Sequence, residues 1–145
     1  MSLANWQKNG WLVEHRASRD EIRDLMGIVA RDLEDCRTKG LSPDWTLSIA
    51  YNAALQAATA ALCASGYRAA REAHHYRAIE SLALTIGASS ATVRQFDAFR
   101  KKRNIGGYDR AGTTSDQEAG EMIALAEAIS SDVSAWLRKN HPGLA

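Results

Sequence analysis

At 145 residues the chain is long enough to bury one sizeable core, and a single domain over 1–145 is the expectation. Charged residues at 24% against 46% hydrophobic ones exclude disorder, and two prolines in an alanine-rich chain with few β-branched runs point to an all-α fold. A net charge of +1 excludes general coating of nucleic acid, so an anionic partner has to be met by a local patch. No run of about 18 apolar residues stands out, and MSLANWQKNG lacks a signal peptide's apolar stretch. A cytoplasmic chain with no membrane span is therefore expected.

Residues 1–17 read as an N-terminal extension or short helix in which Trp6, Trp11, Leu12 and Val13 cover the bundle, with Gly10 opposing a continuous helix. Ser18-Arg19-Asp20-Glu21 has the form of a capping box. Behind it Ile22, Leu25, Met26, Val29, Leu33 and Cys36 keep helical spacing until Gly40. Ser42-Pro43-Asp44 opens a second helix, with proline where its missing N–H costs nothing. From Trp45 to Ala64 that helix is nearly uncharged and carries alanine in every turn, which suits a central element or a surface shared with a second copy. A third helix is expected from Arg68 to Ile86, with His75, Ile79, Leu82 and Ile86 on one stripe and His74, Ala78 and Ser81 beside it. Gly87 stops it, and Ser89-Ser90 caps the next. The last helix opens on a second capping box, Ser115 to Glu118, and runs through Met122, Leu125, Ala126, Ile129, Val133 and Trp136, with Arg138 and Lys139 at its negative end. Cys36 and Cys63 lie on separate helices and are expected to be small buried hydrophobes, not a disulfide. The sum is an up-and-down bundle of about five helices.

The positive charge gathers on the fourth of these. Val93, Phe96 and Phe99 share one helix face, and Arg100 and Arg103 continue that line. From Arg94 to Arg110 six basic residues stand against Asp97 and Asp109, a local charge of +4. Gly106-Gly107 is expected to stop the helix and turn the chain, with Tyr108 just after the turn. Arg100, Lys101, Lys102, Arg103 and Asn104 are the candidate RNA or phosphate contacts, since a guanidinium meets phosphate oxygens in a bidentate fashion. The same run also suits a solvated helix end that favours its own C-terminal dipole, with Asp97 neutralising part of it. The His74-His75 pair has no third ligand at helical spacing, so no metal site is expected there. No GxGxxG, P-loop, CxxC or HExxH pattern is present, and no cofactor is expected.

The helix order, the alanine-rich second helix, the paired histidines and above all Arg100-Lys-Lys-Arg103-Asn104-x-x-x-Tyr108 resemble the HEPN superfamily from about Ser18 to Trp136. In that family a helix ending in arginine, often Arg-Asn, is followed four to six residues later by histidine, the two facing a cleft commonly formed across a homodimer. The resemblance implies an all-α fold, dimerisation and RNA or nucleotide binding, and in active members metal-independent RNA cleavage in toxin–antitoxin or defence systems. Here Tyr108 stands at the histidine spacing. A phenol with an ordinary pKa of about 10 is a poor base near neutrality, although it can hydrogen-bond a phosphate or stack on a base. Binding without efficient catalysis is therefore the first expectation. A working endoribonuclease, with Arg103 stabilising the transition state and His74 or Tyr108 as the base, is the second. The third is an interaction module for a protein partner, such as a nucleotidyltransferase-like protein.

Overall fold

The helix α3, Pro43–Ala64, is the element on which the rest of the chain packs. The protein's structure, a computed structural model, describes residues 2–108 and 114–145, the side chains of 104–108 excepted. Around α3 lie α1 (Leu3–Lys8), β1 (Leu12–Glu14), α2 (Arg19–Asp35), β2 (Tyr67–Ala69), α4 (His74–Ser81), α5 (Ser90–Tyr108) and α6 (Asp116–Asn140). The fold is predominantly helical, as expected. Its described residues hold six helices and a two-stranded sheet where a bundle of about five helices was anticipated.

Alanine explains the central place of α3. Ala50, Ala53, Ala54, Ala57, Ala58, Ala60 and Ala61 are wholly buried, and their short side chains let α2 and α6 approach α3 closely. By length and composition α3 passes as a membrane span, contrary to the reading that no such stretch exists, but most of it is buried within its own bundle. Ser42 accepts a hydrogen bond from the Trp45 N–H, and Pro43 occupies the first turn as anticipated. A buried carboxylate ties α2 to α3. Asp32 accepts from Asn52 Nδ2 at 2.7 Å and from Arg31 Nε at 3.1 Å, so its charge is met by two donors.

The caps follow the sequence with one exception. Ser115 and Glu118 form a reciprocal capping box. Ser18 accepts from the Glu21 N–H, but the Glu21 carboxylate turns to His15 instead of closing the box. Cys36 and Cys63 are free and buried, and burial pushes the Cys63 thiol up to about 11. Of the four tryptophans Trp6 is buried, whereas Trp45 is 64% exposed and contributes to no core.

Three further expectations are corrected. The short helix expected near the N-terminus is present at Leu3–Lys8, but the chain turns at Gly10, φ +80°, into a strand that was not expected, Leu12–Glu14, paired antiparallel with Tyr67–Ala69. The third helix does not begin at Arg68. Residues 67–69 donate and accept across the sheet, Ala73 sits in the left-handed region at φ 52°, and only His74–Ser81 is helical before turns over 82–86. Ile79 and Leu82 are buried all the same, since the apolar stripe is kept through the turns. Gly106-Gly107 does not stop α5, which continues to Tyr108. Glycine costs only about 1 kcal/mol per helical position, so the pair weakens the last turns without forbidding them. The expected loop over 110–113 falls outside the described residues.

Candidate phosphate-binding site

The site forms where α5 leaves the core. Val93, Phe96 and Phe99 are buried, and the face they define carries Arg100 and Arg103 towards α3 and α4. Arg103 places its guanidinium carbon 5.1 Å from the ring centroid of Tyr51, a residue of α3 that is 1% exposed. The Tyr51 ring meets Phe96 edge-on, with centroids 5.6 Å apart and planes at 78°, and its hydroxyl lies 3.3 Å from His75 Nδ1. Which of the two donates depends on the histidine tautomer. His74, exposed at the start of α4, packs edge-on against His75 at 4.4 Å. Three helices thus bring a cation, a phenol and an imidazole together.

The basic run is not uniform. Arg100 Nε donates to Asp97 Oδ1 at 2.7 Å, and its guanidinium carbon stands 5.4 Å from the Tyr76 ring centroid. Lys101 is exposed and lies 3.5 Å from the same aspartate. Lys102 bridges to Glu118 of α6 at 3.2 Å; the Ser115 backbone N–H first, and then this contact, hold the Glu118 carboxyl below its ordinary range. Arg103 has no carboxylate partner among the described residues. The side chains of Asn104 and Tyr108, two of the residues singled out from the sequence, lie outside that description.

Two protonation states follow from this packing. Burial pushes the Tyr51 phenol up to about 12, against the pull of Arg103 and Arg100, so it remains a neutral hydroxyl. Burial first, then His74, Arg103 and Arg100, lower the His75 pKa, leaving a neutral imidazole near pH 7. The unfolded chain accepts a proton at about 6.5 that the folded one resists. Stability from this residue is therefore complete above that pH and is lost as pH falls below it. A His75→Gln variant is expected to lose this acid-side decline when denaturation midpoints are followed from about pH 7.5 to about pH 5. An unchanged profile would place the titration elsewhere.

His75 also faces a cavity of about 650 Å³ between α3, β2 and α4. Leu55, Leu62 and Ala78 supply apolar wall, Gln56 and Thr59 polar atoms, and Arg68 and Arg71 a positive rim beside His74. Sequence reasoning assigned His75 to the apolar stripe and did not single out Tyr51. The one signal for the latter is a hydroxyl-bearing aromatic in an otherwise alanine-rich helix.

In comparisons with known proteins, no family model, no curated protein and no solved structure matches the chain.

Proposed function

We propose that the chain is a HEPN-like domain that binds RNA or a nucleotide through phosphate at Arg103, with binding and not cleavage as its main activity. The observation that carries this reading is Arg103 resting on the Tyr51 ring with no carboxylate partner among the described residues, beside a neutral His75 and an apolar cavity with a basic rim. A guanidinium held by a ring keeps its donors for a phosphate, and pre-ordering it lowers the entropic cost of the contact. Arg100, already bonded to Asp97, contributes field more than donors.

The test is a mixed labelled RNA incubated with the protein and with its Arg103→Ala variant in EDTA. Wild type is expected to shift intact RNA. Arg103→Ala should bind roughly 10- to 100-fold more weakly, the range for one charge-assisted contact, with the salt dependence falling by about one phosphate's worth. An equal shift by both proteins would refute the reading.

One observation favours metal-independent endoribonuclease activity as the second reading. His75, held neutral near pH 7 and 3.3 Å from the Tyr51 hydroxyl, offers an imidazole beside Arg103 where a proton can be taken up. In that case the same assay yields fragments ending in 2′,3′-cyclic phosphate, and both Arg103→Ala and His75→Ala abolish them.

A further inference from the structure

Away from this cluster, three side chains from separate elements converge at the C-terminal end of α3. Pairing of β1 with β2 carries the chain back over that end, and the His15 N–H donates to the Gly66 carbonyl at 2.9 Å. Gly66 makes the reversal possible at φ +97°. His15 Nε2 then lies 2.7 and 2.9 Å from the two carboxylate oxygens of Glu21, in the first turn of α2. Cys63, in the last turn of α3 and 4% exposed, completes the group. One donor atom from each of the three lies within 4.8 Å of the others.

We propose that His15, Glu21 and Cys63 bind a single divalent cation of the zinc class. Zinc bond lengths place tetrahedral donors about 3.5 Å apart, so side-chain shifts of about 1 Å close the triangle on an ion. The ion takes the place of the hydrogen bond between His15 and Glu21 and displaces the proton of the Cys63 thiol. Thiolate with imidazole and carboxylate selects zinc, cobalt or a similar borderline ion, and disfavours magnesium and calcium, which prefer all-oxygen sites. The carbonyl end of α3 adds a field that favours a cation. It also explains why Glu21 leaves its capping box half-made: the carboxylate serves His15 instead.

Access fits the same role. A cavity of about 420 Å³ is lined by His15, Cys63, Arg16, Gly66 and Leu144, so two of the three donors border space that water or a small ligand can enter. Three protein ligands and an open position are the arrangement of reactive zinc sites; structural sites are closed by a fourth residue. Twelve residues of helix, about 18 Å, separate Cys63 from Tyr51, so the metal site and the phosphate site stand or fall independently.

The experiment is titration of metal-stripped, reduced full-length protein with Co²⁺, followed by absorbance and then by competition with Zn²⁺. One ion per chain is expected, with a thiolate-to-cobalt charge-transfer band and the intense visible bands of a four-coordinate ion, all bleached by Zn²⁺. Cys63→Ser should lose the charge-transfer band, while Cys36→Ser keeps it. His15→Ala and Glu21→Gln, on partly exposed residues and checked for helicity by circular dichroism, should each weaken binding at least about tenfold, since even supporting partners of a ligand are worth that much. These two variants also decide the matter if Cys63→Ser fails to fold. No Co²⁺ band in wild type, a band that survives Cys63→Ser, or unchanged affinity in folded His15→Ala and Glu21→Gln overturns the proposal and leaves an ion pair above a buried thiol.

Discussion

Phe96→Ala is expected to lower folding stability by about 3–5 kcal/mol, the range for deleting a fully buried aromatic ring. Phe96 is 0% exposed where α5 meets the core, and its ring supports Tyr51 edge-on at 5.6 Å. The variant therefore removes apolar burial and leaves a cavity beside the residue on which Arg103 rests. Chemical denaturation should show a lower midpoint at an unchanged slope. RNA binding by the fraction that remains folded should also weaken, because Tyr51 loses the contact that fixes its ring. Arg103→Ala gives the complementary result, a loss of binding with stability within about 0.5 kcal/mol of wild type, as for most partly exposed side chains. A stability loss under about 1 kcal/mol in Phe96→Ala would show that α5 is not anchored as described.

The alanine surface of α3 calls for the opposite substitution. Ala57 is 0% exposed in a helix flanked by α2 and α6, and Ala57→Leu inserts three carbons where neighbouring backbones are already close. Overpacking of this kind costs about 1–3 kcal/mol, and the expected result is a falling thermal midpoint together with broadened side-chain NMR signals in α2 and α6. Intrinsic helix propensity does not supply this loss, since leucine is nearly as good a helix former as alanine. Trp45→Ala is the contrast on the same helix. Its ring is 64% exposed, so removal should change stability by no more than about 0.5 kcal/mol despite the larger loss of volume. If Ala57→Leu were neutral, the close approach of the three helices would be wrong.

The chain's local signals carried the helices that form the bulk of the bundle. Ser42 before Pro43, and the Ser115–Glu118 box, are contacts between residues three or four apart, and they are found where the spacing put them. The same holds for Val93, Phe96 and Phe99 in the core, and for Met122, Ile129 and Val133 along α6, because a helical period fixes which side chains share a face. Composition likewise pointed to α3 as the centre, since a helix with no charged face has to be covered on most sides.

What local signals did not carry are the pairings between distant segments. Leu12–Glu14 and Tyr67–Ala69 are strands only because they meet each other, and three-residue strands have no recognisable period of their own. That meeting, not any motif, shortened the expected third helix and brought His15 to Cys63. The phosphate site has the same origin: Arg103 was visible as charge at a helix end, but its place on Tyr51, and the approach of His75, come from α3, α4 and α5 packing together. Periodicity states which residues face inward. Which inward-facing residues touch is decided by loop paths and packing angles, and those are settled only when the whole core closes at once.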